Sequence, residues 1–363
     1  MEDLKKFLTG KVLMFESDTL PAETEKVLRQ VRREKTDKAV IFLSSGTSSI
    51  IAGSEKTWSA VRIYIDENEP GVELVKVGCT GPSNFEPLVC IQLPGKNKLY
   101  FRNITEEKVE PLLNGVFHND INKDDLVGQR GSKGFELWPG LPFIDDLGFF
   151  ARQKRVIMSN CGCYDPENIN EYIARGGYRA FVKAIRHYTF EEVCDIIERS
   201  GLRGRSGGGY PTGLKWKQAL NTTSNSRYLI CNAKESDPGA FTDRTMLESD
   251  PHRMVEGVAI ASYAIGASNA IVFFSVNNIP GKNEFIWTLT NVDSGETVKT
   301  RSVPFFSWKF KDIGRFTLHV EIHDNKGNVY VNQINKMINV MTRKQYIKNI
   351  ETRLDRRKHK LLN

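Results

Sequence analysis

The chain has 363 residues, of which 40% are hydrophobic and 26% charged, with a formal net charge of +7. That length suits two or three domains with a sizeable core. No stretch approaches the ~20 apolar residues of a membrane helix, and MEDLKKFLTG lacks a secretory signal's apolar segment, so a cytoplasmic protein is expected. From Lys336 onward nine basic residues stand against two acidic ones, which accounts for the whole excess and argues against a basic nucleic-acid-binding body.

In chain order, the first region, 1–120, predicts a charged helix over 22–35 and a short apolar strand over 38–43. A helix over 54–67 follows, then strands over 72–77, 87–93 and 98–102, then a helix to 117 with Thr105 as its N-cap. This βαβββα order suggests a small thioredoxin-like α/β layer. The polar segment 119–134 reads as a linker. The region 143–270 predicts helices over 167–185 and 189–201, the latter with Gly201 at its C′ position. A glycine-rich loop, a strand over 227–233 and a helix over 251–267 complete it.

From about Ser268 the pattern alternates with period two, and PGK, DSGE and NKGN supply turns. The region 271–340 therefore reads as an immunoglobulin-type β-sandwich with Trp287, Trp308, Phe316, Leu318 and Val320 in its core. The tail 341–363 reads as a basic, partly helical end, solvated or open to an acidic partner. The fold class expected is a multi-domain α/β chain with a C-terminal β-sandwich. The six cysteines are too scattered for a disulfide framework, so free thiols are expected; Cys161 and Cys163 form a C-x-C pair, a weak metal signal on its own.

Two segments carry chemistry. In GLRGRSGGGYPTGLKWK (201–217), neighbouring glycines let backbone N–H groups converge on an anion without Cβ interference. A helix beginning just beyond adds its N-terminal partial charge, and Lys215 a point charge. A flexible surface loop is the alternative. CNAKESDPGAFTDR (231–244) lies at the end of an apolar strand, where α/β sheets bind cofactors. There Asn232 suits a heterocycle edge or a ribityl hydroxyl, and Glu235 and Asp237 suit nicotinamide or ribose hydroxyls. An acidic, turn-rich loop is the alternative.

The run from RVIMSNCGCYDPENINEYIARGGYRAFVKAI through SGLRGRSGGGYPTGLKW to CNAKESDPGAFTDRTMLESDPHRMVEGVAIASYAIGA resembles the NADH-binding flavoprotein subunit of respiratory complex I. It is equally similar to the related subunit of NAD-linked iron-iron hydrogenases. Residues 38–118 resemble the thioredoxin-like ferredoxin domain that precedes the flavin domain in the hydrogenase-type subunits. The resemblance implies FMN and NADH as cofactors, hydride passing from NADH to the flavin, and partners within a multi-subunit redox complex. Such a complex would keep the chain cytoplasmic, at the inner face of the membrane. Carried over, Gly204, Arg205, Gly207 and Lys215 face FMN, and Tyr210 takes the aromatic position. Asn232 and Glu235 contact FMN or NADH, and Asp237 meets NADH.

The chain departs from that family in several places. The ferredoxin-like domain normally holds a 2Fe–2S cluster on four cysteines spaced C-x4-C and C-x3-C. Here Ser44 and Ser49 take the first pair and Ser83 the fourth position, leaving Cys79 as an isolated remnant, so no cluster is expected. Ser206 replaces a usual Gly, Lys234 a usual Asp and Ser236 a usual Gly. Near residue 270 the family continues with a second half of the flavin domain; here a β-rich unit loosely similar to a PKD module follows. The flavin domain is therefore expected to be partial. Two functional readings follow: an NADH:acceptor oxidoreductase subunit, incomplete or inactive as it stands, or a non-catalytic binding or assembly protein, or chimeric fragment, on a degenerate flavoprotein scaffold.

Overall fold

The computed structural model describes residues 2–17, 19–68, 71–132, 134–205, 207–224, 226–235 and 240–274, and beyond these residue 294 and the strands named below. Residues 1–273 form one compact unit and residues 274–363 a second.

The first unit opens with helix α1 (Glu2–Phe7), a π-helical turn (Leu8–Leu13) and α2 (Ala22–Val31). A five-stranded sheet follows. Its strands are β1 (Val40–Ser44), β2 (Glu73–Val77), β3 (Val89–Gln92), β4 (Lys98–Phe101) and β5 (Leu126–Arg130), in the order β2-β1-β3-β4-β5. Strand β1 runs parallel to β2 and antiparallel to β3. The parallel pair needs a crossover, which α3 (Thr47–Ile51) and α4 (Ser54–Asn68) provide; α5 (Glu106–Phe117) follows β4.

Strand β1 is apolar from Val40 to Leu43 because both of its faces are covered. Period-two geometry sends Ile41 and Leu43 to the face packed by Val61, Ile65, Val109 and Leu113 of α4 and α5. Val40 and Phe42 go to the opposite face with Val75, Tyr100 and Ile144.

The segment expected as a linker, 119–134, contains β5, which pairs antiparallel with β4. Its apolar signal is weak because a buried polar side chain holds it. Gln129 donates to the Trp138 carbonyl at 2.9 Å and to the Leu141 carbonyl at 3.0 Å, and accepts from the Trp138 N–H at 3.0 Å.

The short helix α6 (Gly148–Ala151) leads to α7 (Ile169–Ala174) and α8 (Arg179–His187). The single helix expected over 167–185 is thus two. Tyr172 lies so close to Gly177 that a Cβ there would collide with its ring, and Tyr178 takes a left-handed φ of 60°. Helix α7 packs on the N-terminal elements, where Leu8, Val12 and Leu28 meet Ile173 and Ala174. The regions expected as 1–120 and 143–270 accordingly share one unit. Helix α9 (Phe190–Arg199) begins with a capping box between Thr189 and Glu192, and Gly201 follows it with φ 70°, as a C′ glycine does.

Helices α10 (Thr212–Asn221), α11 (Thr242–Ser249) and α12 (Pro251–Ala264) accompany β6 (Tyr228–Ala233) and β7 (Asn269–Phe274), which form a two-stranded sheet. The segment NAIVFF, expected to open the β-rich region, therefore pairs with β6.

In the second unit β8 (Glu284–Asn291), β9 (Thr297–Arg301), β10 (Gly314–His323) and β11 (Val329–Val340) form a sheet of order β11-β10-β8-β9 with antiparallel neighbours. The alternating segments do form strands. Among the described residues they make one four-stranded sheet. Trp308 and the tail 341–363 lie outside the described residues.

Candidate functional site

The glycine-rich loop runs from the end of α9 to the start of α10 as a narrow hairpin. Gly204 N–H donates to the Tyr210 carbonyl at 2.9 Å, Thr212 N–H to the Leu202 carbonyl at 2.9 Å, and the Arg203 guanidinium to the Gly209 carbonyl at 3.0 Å. Gly207 and Gly209 have φ of 96° and 56°, which L side chains rarely adopt. No other group lies within 4 Å of where a Cβ would stand at Gly207, Gly208 or Gly209, so the tip is an open backbone surface. The base is fixed: a Cβ at Gly213 would collide with the Glu198 backbone, so glycine lets α10 lie directly on α9.

Arg205 and Lys215 are exposed, and neither side chain has an ion-pair or hydrogen-bond partner among the described residues. Lys217 differs: its ammonium pairs with Asp195 at 2.5 Å and with Glu198. These hydrogen bonds raise its pKa above the ordinary lysine value. Tyr210 is 47% exposed, and its hydroxyl accepts from the Gln218 amide at 2.9 Å, which lays the ring along α10. No acidic residue occupies the first turn of α10. An open amide surface, two uncommitted cations and a helix start without a competing carboxylate fit a phosphate group.

At the end of β6, Asn232 is exposed and its side-chain oxygen accepts from the Lys234 N–H at 3.1 Å. Glu235 turns to α11, accepting from the N–H groups of Asp243 and Arg244 at 3.2 and 3.3 Å. Its carboxylate therefore serves a helix N-terminus, a role the sequence motif did not announce. Burial first, and the Glu235 carboxylate second, hold the Asp243 carboxyl above its ordinary range. Asp237 lies outside the described residues. Among the described residues no hydrogen bond or ion pair joins the loop residues to Asn232 or Glu235.

Cavities among the described residues lie elsewhere. One of about 400 Å³ is bounded by Arg33, Trp58, Glu73 and Asp165, and one of about 370 Å³ by Phe15, Arg179, Lys183 and Arg186. All six cysteines are free, and no metal-holding group of His, Cys, Asp and Glu occurs among the described residues.

Residues 197–355 match the family described as the Nuo51 FMN-binding domain. The span holds the loop, β6 and α11, and runs past residue 270 into the β-rich segment. Over 122 residues the chain is 49% identical to the NADP-reducing hydrogenase subunit HndC of Solidesulfovibrio fructosivorans, covering 34% of this chain and 24% of that protein. It is 44% identical over 118 residues to an F subunit of the NADH-quinone oxidoreductase of Rhizobium meliloti, covering 32% and 28%. To the corresponding F subunit of Aquifex aeolicus it is 50% identical over 106 residues, covering 29% and 24%. The chain spans about a quarter of the length of the curated relatives it matches. The match is thus to an FMN-binding family, and the relatives are oxidoreductase subunits.

One supporting network escaped the sequence reading. Buried Asp250 accepts from the Tyr164 hydroxyl at 2.7 Å and from the Arg253 guanidinium at 2.9 Å. Buried Glu256 accepts from the Tyr172 hydroxyl at 2.6 Å and the Tyr178 N–H at 2.8 Å. Together these carboxylates fix the start of α12, the helix that packs against β6. The signal available was Glu256 itself, a lone acid in the apolar run MVEGVAIA.

Proposed function

We propose that this chain is the flavin-binding part of an NADH:acceptor oxidoreductase, with the loop 201–215 as the phosphate cradle of FMN. The observation that carries this reading is the pair of uncommitted cations, Arg205 and Lys215, beside an open glycine backbone at the start of α10, inside the span matched to an FMN-binding family. Gly207 leaves the backbone accessible, Gly204 closes the base of the loop through its N–H to Tyr210, Tyr210 offers a ring face, and Asn232 offers its amide nitrogen, the oxygen being engaged by Lys234. Bound flavin supplies the capacity to accept a hydride and release electrons singly. The chain's own residues bind the phosphate, orient the ring system and order the strand end. Asp237 is proposed to meet NADH.

The five-stranded sheet, with its parallel β1–β2 pair and antiparallel β3 and β4, supports a thioredoxin-like assignment for the N-terminal layer. The proposed setting is a multi-subunit redox complex in the cytoplasm, held at the inner face of the membrane by its partners, with the basic tail meeting an acidic one. No helix among the described residues is long and apolar enough to cross a membrane. The β-rich region 271–340 is proposed as an immunoglobulin- or PKD-like module.

The test is an absorption spectrum of the purified chain after incubation with FMN and desalting. A flavin band near ~450 nm, bleached by NADH, is expected. A colourless protein overturns the proposal. It would favour a non-catalytic binding or assembly role, which the engagement of Glu235 by α11 supports on its own.

A further inference from the structure

The positions where the resemblance implies a 2Fe–2S cluster do not fit one. A cluster of that kind is held by thiolates. Ser44 donates its hydroxyl to the Glu86 carboxylate and accepts from the Leu88 N–H at 3.2 Å, so it is committed to its own sheet. Ser49 is fully buried, while Ser83 is exposed on a short 3-10 turn, so the two do not share an environment. Cys79 is buried and its sulfur accepts from the Gly81 N–H at 3.3 Å. Glu86, only 5% exposed, stands where an anionic cluster would meet like charge.

The same loops hold something else. Glu248, near the end of α11, accepts from the Thr47 N–H at 3.0 Å and from the Thr47 hydroxyl. A Cβ on Gly46 would lie 2.8 Å from Glu248 Oε2, and a Cβ on Gly78 would collide with Ser249 Cα. The two glycines flank the former ligand positions, one on each loop. Their lack of side chains is what lets α11 come this close. At its other end α11 receives Glu235 from the end of β6.

From these contacts we infer that the former cluster pocket holds no cluster and is the socket that seats the C-terminal end of α11. Glu248 is then a positioning residue: it fixes α11 from below, and α11 fixes the strand end carrying Asn232 and Glu235. That last step rests on the flavin reading above; the socket itself does not.

The experiment uses the full chain. Anaerobic reconstitution with ferrous iron, sulfide and a thiol reductant, followed by desalting, is expected to leave no bound iron. Iron and acid-labile sulfide retained in equal amounts would overturn the inference. Gly78→Ala drives a wedge under Ser249, and Thr47→Val removes the hydroxyl partner of Glu248 with little risk to folding. In both, amide exchange over residues 242–249 is expected to rise about tenfold or more, while β1 and β3 stay protected. Unchanged exchange in α11 in both variants would overturn the socket. FMN is then titrated into wild type and Thr47→Val. Weaker flavin binding in the variant supports the coupling. A wild type that binds no FMN refutes the flavin reading while the exchange result still decides the socket.

Discussion

Arg33 sets Nη1 2.6 Å from Glu171 Oε2 and Nη2 2.6 Å from Glu73 Oε1, so one guanidinium ties the end of α2 to both β2 and α7. Glu171 is almost wholly buried, and Arg33 reaches it from a left-handed backbone with φ 56°. Burial alone would lower the Arg33 pKa, but the hydrogen bonds to Glu73 and Glu171 outweigh it and the value is raised. Arg33→Met leaves a buried carboxylate without its cation, which costs about 3–5 kcal/mol. The expected result is a clear fall in the urea midpoint. The double variant Arg33→Met, Glu171→Met is expected to recover much of it, since removing both charges removes the desolvation cost. A double variant no better than the single would show that the pair is not what holds α7.

How far the sequence foretold this structure depended on whether apolar pattern or tertiary contact set each element. β1 was legible because VIFL is buried on both faces. The capping box of α9 and Gly201 behind it were local signals and stand where expected. β5 was not legible, since Gln129 is held by bonds to Trp138 and Leu141, which no pattern reveals. Nor was the break between α7 and α8, which depends on the Tyr172 ring lying against Gly177. At the candidate site, the glycine run itself pointed to Lys215, while Arg205 came only from the resemblance. The turn of Glu235 toward α11 could not be read, because it depends on where α11 is seated.

Tyr172 illustrates the second class of contact. Its hydroxyl donates to Glu256 at 2.6 Å, and its ring stacks on His252 at 5.4 Å. Tyr172→Phe keeps the stacking and removes the donor, leaving Glu256 with two backbone N–H partners. A loss of about 1–3 kcal/mol is expected, measured as a shift of the thermal midpoint. Native exchange should rise in α8 and α12 rather than in the five-stranded sheet. A midpoint equal to wild type would mean the remaining donors satisfy Glu256.

His252 is expected to give the fold a pH dependence. Burial lowers its pKa below the ordinary histidine value, with Asp250 opposing. The folded state therefore disfavours the imidazolium, and the unfolded chain binds the proton more readily. The associated stability is complete above about pH 6.5 and is lost as pH falls through the depressed value. Wild type is expected to lose more thermal stability than His252→Gln between about pH 7 and about pH 5. Parallel curves for the two proteins would place the acid sensitivity elsewhere.

The proposed phosphate cradle is tested most directly through its two cations. Arg205 and Lys215 have no protein partner among the described residues, so removing either costs the fold little. If they face the flavin phosphate, Arg205→Gln and Lys215→Gln should each weaken FMN binding about tenfold, the scale of one charge-assisted contact near the surface. Lys217→Gln is the control, because Lys217 is already held by Asp195 and Glu198. Its affinity for FMN should stay near the wild-type value even as α9 and α10 loosen. Riboflavin, which lacks the phosphate, should bind weakly to wild type and be indifferent to both cradle variants. Fluorescence quenching titrations separate these outcomes. Should riboflavin and FMN bind alike, and the cradle variants match wild type, the loop between α9 and α10 holds no phosphate, and its two cations serve another anion.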